Sequence, residues 1–275
     1  MSRRNLDMGI GGKSMSLVTT KMEGFVGTLT LNRPEKLNSL SEALVEDIIS
    51  ALDDFEEKKA RAVVIRAEMG GKGIFSAGHD ITELRGRGYD PLDPFDSLRL
   101  LIEAVKNTTF PTIAMIDGKV FGGANELVSV CDIVIASENA KFCFTPAKIG
   151  VPYDIEGLQN MVNAVGQKAV REMIFTAREF SAEWAEKHGL VSRVVPKEQL
   201  EKEAYEEAED IAKKAPLAHM ANKYTLNAIA EATLPLSASQ ESQVERCRKI
   251  AYSSADYEEG LKAIKEKRAP VFKDE

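Results

Sequence analysis

The chain has 275 residues, 44% of them hydrophobic and 29% charged, enough apolar material to bury a substantial core. Its formal net charge of −7 supplies no general attraction for nucleic acid or an anionic membrane, so neither is expected as a partner, and any phosphate-bearing ligand has to be held by a local cluster of Lys or Arg. Cys131, Cys143 and Cys247 are odd in number and lack metal-ligand spacing, which argues against a disulfide framework and a zinc site and for a reducing cytoplasm.

In chain order, the segment 1–20 mixes Arg3, Arg4, glycines and polar residues without the continuous apolar run of a signal peptide and reads as a flexible leader. No later stretch is long and apolar enough to span a bilayer. The run 24–31 is β-rich and stopped by Asn32-Arg33-Pro34, a strand followed by a turn. Over 40–55, Leu44, Ile48, Leu52 and Phe55 share one helical face. The β-branched run 62–66 then reads as a buried strand. The rhythm returns with a helix over 94–107, a strand over 112–116, a helix over 124–130 and a strand over 132–136. Such alternation predicts an α/β fold with a largely parallel sheet. Past residue 155 helices dominate: 157–165, 168–176, 182–188, 198–214, a long stretch over 217–252, and 256–267, with one short strand over 191–195. The expected organisation is a core over 21–200 followed by a helical region over 201–275.

Two stretches carry chemistry. Gly70-Gly71-Lys72-Gly73-Ile74-Phe75-Ser76-Ala77-Gly78-His79-Asp80-Ile81 follows a strand, and a Gly-rich turn leading into a helix leaves backbone N–H groups free to face a ligand. The run from Ile116 through Asp117-Gly118-Lys119-Val120-Phe121-Gly122-Gly123-Ala124-Asn125 to Glu126 repeats the arrangement, with a carboxylate in the first helical turn. Two such turns on neighbouring strands can aim two N–H donors at one oxygen.

Four motifs occur in one order: Leu-Asn-Arg-Pro-Glu-Lys-Leu-Asn-Ser-Leu (31–40), Phe-Ser-Ala-Gly-His-Asp-Ile (75–81), Asp-Gly-Lys-Val-Phe-Gly-Gly-Ala-Asn-Glu-Leu (117–127) and Glu-Lys-Arg-Ala-Pro-Val-Phe (266–272). Together they span nearly the whole chain, and the combination resembles the enoyl-CoA hydratase/isomerase, or crotonase, superfamily. The resemblance implies a crotonase-like spiral of ββα units with a C-terminal helical trimerisation region. It also implies an acyl-CoA substrate, a homotrimer or dimer of trimers, and no cofactor or metal beyond the coenzyme A of the substrate. The backbone N–H groups of His79 and Gly123 would then form an oxyanion hole for the thioester oxygen, where removing one donor typically costs on the order of 10²–10³ in rate. Lys36 and Leu37, with Ala77, Gly78, Asp80 and Ile81, would cradle coenzyme A. Lys267 would supply a charge for its phosphates, in some members from a neighbouring subunit.

Glu126 matches the first of two glutamates that hold water in hydratases of this superfamily. The second is absent, for the chain reads Thr145-Pro146-Ala147-Lys148-Ile149-Gly150-Val151-Pro152-Tyr153 where a Pro-Glu pair is expected. Hydration calls for two groups to place and shuttle protons. Together with Gly-Val-Pro-Tyr (150–153) and the Tyr89-Asp90-Pro91-Leu92 insertion, this departure resembles the methylmalonyl-CoA decarboxylase branch. In that reading the side chains of His79 and Tyr153 hold a substrate carboxylate, and Tyr153 or a water protonates the α carbon. Two alternatives stay open: a hydratase or isomerase in which Glu126 works with Asp154 or Glu156, and a non-catalytic acyl-CoA-binding relative. Plain structural readings stand beside these. His79 can cap a helix, Tyr153 can fill core, Glu126 complements a helix dipole, and Lys267 lies in a charged, solvated run. His188 and His219 have no partner pattern and read as surface residues.

Overall fold

The computed structural model describes residues 16–93, 95–232 and 236–273. Strand β1 (Val18–Glu23) pairs antiparallel with β2 (Val26–Leu31), which pairs in parallel with β3 (Ala62–Ala67). Parallel pairing continues through β5 (Thr112–Ile116) and β7 (Ile133–Ser137) to β10 (Arg193–Val195), giving a sheet ordered β1-β2-β3-β5-β7-β10. A second sheet, ordered β4-β6-β8-β9, is built from β4 (Ile74–Ser76), β6 (Lys119–Phe121), β8 (Lys141–Cys143) and β9 (Phe180–Ser181).

A long strand is thus followed by a short one three times over: β3 by β4, β5 by β6, and β7 by β8. Helices α1 (Glu42–Glu57), α2 (Ser97–Lys106) and α3 (Ala124–Val130) carry the chain onward through this series, which is the expected spiral of ββα units. Helix α1 places Leu44, Ile48, Leu52 and Phe55 on its buried face as its spacing dictates. The opposite face of the large sheet is covered by α6 (Lys197–Ala212), whose Leu200, Ala204, Ala208 and Ala212 pack on Val26, Val64, Ile113 and Ile135. Burial on both faces explains why β3, β5 and β7 read as continuous apolar runs rather than alternating ones.

Several expectations change. Residues 1–15 of the expected leader lie outside the described residues, and its residues 18–20 belong instead to edge strand β1, Val18–Glu23. Its Thr19, Thr20 and Lys21 are exposed, so no apolar run announces it. The start of the helix expected at 94 falls on an undescribed residue, and α2 begins at Ser97, capped by Asp96. The small sheet is absent from the expectations because its strands are two or three residues long and flanked by turns. Helix α4 (Ile155–Thr176) runs across the two expected helices, which meet at Gly166, where φ is 76°. The long stretch over 217–252 is two helices, α7 (Pro216–Ala232) and α8 (Ala238–Tyr252). His188 is half-buried against Trp184, with ring centroids 4.2 Å apart, and α5 (Ala182–Lys187) ends beside it.

The C-terminal helices dock on the core through polar anchors. Lys223 of α7 is buried, and its Nζ donates to Val105 O (3.1 Å), Thr108 Oγ1 (2.8 Å), Phe110 O (3.2 Å) and Asp132 Oδ2 (2.7 Å). Helix α9 (Ala255–Lys265) returns to the same chain's core. There Tyr257 is fully buried and donates to Arg85 O at 2.7 Å. Replacing Lys223 by Met keeps the length of the side chain but removes the ammonium donor from two carbonyls and from Asp132, leaving the Thr108 hydroxyl to serve the carbonyls and Thr112 the carboxylate. Charged hydrogen bonds contribute roughly 1.5–3 kcal/mol, so Lys223→Met is expected to destabilise the protein by about 2–3 kcal/mol, read as a lower urea midpoint.

Candidate active site

The loop after β4 is held against the turn over 34–40 by backbone bonds. Ala77 N donates to Leu37 O (2.9 Å), Leu40 N to Gly78 O (2.8 Å) and Asp80 N to Leu40 O (3.3 Å). Leu40 therefore bonds to the residues on either side of His79, forming a single parallel bridge with His79 itself. In that geometry the N–H of His79 points away from Leu40, and it finds no acceptor among the described residues. Buried Asn38 stabilises the turn from within. It adopts φ 48°, accepts from Arg33 N (2.8 Å), and donates to Glu68 O (2.9 Å) and Phe75 O (3.0 Å).

The second turn is held in the same way. Asn125 Nδ2 donates to Val120 O (3.3 Å), Gly122 O (3.1 Å) and Cys143 O (3.1 Å). Gly123 stands at the N-terminus of α3, where first-turn N–H groups have no intrahelical partner, and its own N–H has no acceptor among the described residues. The two turns touch. A Cβ added to Gly78 would lie 2.6 Å from Phe121 O and 2.8 Å from Gly123 N, and one added to Gly122 would lie 3.6 Å from Ala77 O. The N–H groups of His79 and Gly123 accordingly border one cavity of about 60 Å³. Leu84, Leu92, Leu98 and Val151 supply its apolar wall, and Thr145 and Tyr153 bring hydroxyls to it.

Tyr153 stacks edge-on against Phe144 (4.8 Å between centroids), and its hydroxyl donates to Glu126 Oε2 at 2.5 Å. Glu126 Oε1 accepts from Asn160 Nδ2 at 2.9 Å. Glu126 is 4% exposed and forms no part of the cavity wall. Glu126 is thus joined to the cavity through Tyr153, which lines it. Burial pushes its carboxyl up to about 7; the neighbouring Asp154 charge adds to this, while the bonds from Tyr153 and Asn160 and the charge of Arg99 only partly oppose it. Asp154 and Glu156, the alternative partners of Glu126, are engaged elsewhere as well. Asp154 caps α4 by accepting from Gly157 N (2.7 Å), and both carboxylates pair with Arg99.

His79 lines the cavity, and both its ring nitrogens are engaged within the protein, Nε2 with Asp96 Oδ2 at 2.8 Å and Nδ1 with Asp80 O at 3.2 Å. The Asp80 side chain turns away from any ligand. It pairs with Arg33 at 3.0 Å and accepts from Ser39 Oγ (3.0 Å) and Thr82 Oγ1 (2.7 Å). These bonds hold its carboxyl down at about 2, although burial opposes them. Ala77 and Ile81 line the cavity, and Gly78 shapes it. Leu37 joins the exposed Lys36 to this loop through Ala77. Exposed Lys267 follows α9, whose Gly260 packs on the backbone of Ile149, a residue of the cavity wall. Thr145 and Asp96 carried no role in the sequence reading. Thr145 had a signal, since Thr-Pro stands where Pro-Glu was expected, and Asp96 had one as an Asp just ahead of a helix.

A spiral of ββα units with two glycine-rich turns converging on one cavity defines a class, and residues 21–275 match the enoyl-CoA hydratase/isomerase family. The chain belongs to that family and is an enzyme of the crotonase superfamily. It is 37% identical over 247 residues to methylmalonyl-CoA decarboxylase of Escherichia coli (strain K12), covering 90% of this chain and 94% of that one. It is 36% identical to a probable mitochondrial enoyl-CoA hydratase of Dictyostelium discoideum, over 94% of this chain and 92% of that one. A solved structure of methylmalonyl-CoA decarboxylase in complex with 2-nitronate-propionyl-CoA superposes with a TM-score of 0.90 at 36% identity, covering 94% of this chain and 99% of that one.

Gly78 has φ +81° and no room for a side chain. Gly78→Ala is expected to force the two turns apart, and since a displacement near 1 Å can cost about 10² in rate, turnover should fall at least that far while circular dichroism stays native. Glu126 supplies a second test. Its folded carboxyl at about 7 lies above the ordinary 4.5, so the folded state binds the extra proton between those values and stability falls as pH rises through that window. Urea unfolding at pH 5 and pH 8 should show the wild type losing up to about 3 kcal/mol from this source, a loss that Glu126→Gln abolishes.

Proposed function

We propose that this enzyme is an acyl-CoA lyase that decarboxylates a short malonyl-type thioester such as methylmalonyl-CoA. The observation that carries the reading is the position of Tyr153 between Glu126 and the cavity. A hydratase needs two groups that reach the same water, whereas here the Glu126 carboxylate is covered by a phenol, that of Asp80 is tied to Arg33, and no carboxylate of the described residues borders the space. Decarboxylation needs neither water nor a strong base.

The bond between the carboxylate carbon and the α carbon breaks and CO₂ leaves. Its electron pair passes into the thioester, so that negative charge gathers on the oxygen between the N–H groups of His79 and Gly123. The α carbon of the enolate then takes a proton from Tyr153 or a water, leaving the shorter acyl thioester. Glu126 restores the proton of Tyr153, a task suited to a carboxyl near 7. A cavity of about 60 Å³ holds only about four or five water-sized groups, which favours a short, branched acyl chain. Lys36, Leu37 and Lys267 serve the coenzyme A moiety in this reading. The exposed Leu217, Tyr224, Leu226 and Ile229 of α7 favour burial against further copies, as a homotrimer or a dimer of trimers.

The relatives include both decarboxylase and hydratases, so the test sets the two reactions against each other. Purified protein is incubated separately with methylmalonyl-CoA and crotonyl-CoA, and products are followed by mass. Conversion of methylmalonyl-CoA to propionyl-CoA is expected, with Tyr153→Phe lowering kcat about 10²-fold, as loss of a proton donor does, while binding of propionyl-CoA changes little. Hydration of crotonyl-CoA alone would transfer the assignment to a hydratase.

A further inference from the structure

The carboxylate of Asp96 divides its oxygens between two tasks. Oδ1 accepts from Leu98 N at 2.9 Å and so caps α2, while Oδ2 accepts from His79 Nε2 at 2.8 Å. The other ring nitrogen, Nδ1, lies 3.2 Å from the carbonyl oxygen of Asp80. A carboxylate and a carbonyl can only accept, so the ring satisfies both contacts only with a proton on each nitrogen, as an imidazolium. The paired side chains are 12% and 14% exposed, which shields their interaction from solvent. Leu98, placed by the same cap, presses on the oxyanion turn: a Cβ on Gly123 would lie 2.5 Å from Leu98 Cδ2. Asp96 therefore acts on both halves of the site without touching the cavity.

We propose that Asp96 is the positioning residue of this site, holding His79 as a cation at the cavity wall so that the enzyme selects thioesters whose acyl group bears a free carboxylate. The substrate half of this inference rests on the decarboxylation reading; the charge state of His79 does not. Other charged groups lie around the ring. Glu42 and Glu46 come from α1, Glu83 and Arg85 follow β4, and Asp90 and Asp93 belong to the loop before α2. Most already have partners: Glu83 holds the backbone N of Glu42 (2.8 Å), Asp93 pairs with Arg85 (3.0 Å) and Asp90 with Arg248 (2.6 Å). Burial alone pushes the imidazole pKa down from the ordinary 6.5, and the bond and charge of Asp96, with the Asp80 carbonyl and the Glu83 charge, together more than offset it, so His79 titrates above that value.

Asn caps a helix as well as Asp does, so Asp96→Asn separates charge from structure. The chain has three histidines, few enough to follow ring protonation by NMR across pH. In Asp96→Asn the midpoint of His79 is expected to drop below 6.5, the melting temperature to stay put, and the affinity for methylmalonyl-CoA to fall about 10–100-fold, as loss of a charged hydrogen bond implies. Affinity for propionyl-CoA, whose acyl group carries no charge, should hold. A His79 ring neutral at pH 7 in the wild type, an unmoved midpoint in the variant, or an equal loss for both thioesters would each overturn the proposal, as would the same midpoint change in Glu46→Gln. Because titration and binding are read without turnover, a wild type that binds methylmalonyl-CoA but does not decarboxylate it would sink the reaction and leave the assignment of Asp96 standing.

Discussion

Between the loop after β4 and the turn before α3 there is no space for a methyl group. At Gly78 a side chain would collide with the carbonyl of Phe121 and the nitrogen of Gly123, and the backbone there already has φ +81°. Two segments far apart in sequence are thus pressed into direct backbone contact, and most of the small sheet follows from that demand. Strands β4 and β6 run parallel with a register irregularity between Ile74 and Ser76, just ahead of the loop that must meet its partner. Two buried amides, Asn38 and Asn125, then satisfy carbonyls that the bent chain would otherwise orphan. The N–H groups of His79 and Gly123 are left over by this arrangement, and groups that cannot be satisfied inside the protein are available to a substrate.

Around that hole the protein treats two buried carboxylates in opposite ways. Asp80 receives hydroxyl, amide and guanidinium donors, so its charge is fully solvated by protein and survives burial. Glu126 receives one phenol and one amide, too little to replace water, and its carboxyl stays protonated until near neutrality. The first ties the loop in place, and the second can lend and recover a proton.

The large sheet was legible because β3, β5 and β7 are apolar on both faces and α1 keeps a regular buried stripe, signals that survive without tertiary context. β1 was not, since an edge strand with Thr19, Thr20 and Lys21 exposed resembles polar coil. The small strands β4, β6 and β8 carry no periodicity of their own and exist only as neighbours of one another. At the site, glycines and the resemblance located His79 and Gly123, because turn geometry is written in residue type. The position of Glu126 behind Tyr153 was not legible, since it depends on the path of α4, which delivers Asn160 to the carboxylate. Nor was Asp96, whose importance comes from a contact with His79 across a loop that the pattern leaves blank.

The apolar roof over the cavity shows why the motifs of this chain are spread from one end to the other. Leu84 and Leu92, which line it, belong to a segment with no regular structure of its own. That segment is held by the far end of the chain: Gly88 N donates to Tyr252 O (3.0 Å), Arg87 Nε to Ser253 O (2.6 Å), Arg248 to Asp90 (2.6 Å) and Tyr257 to Arg85 O (2.7 Å). Helices α8 and α9 therefore belong to the site energetically although none of their atoms lines it. Each local motif carries little information alone, because the two glycine-rich turns, the phenol and carboxylate packed beside them, and the roof come from separate stretches that only the completed fold brings together.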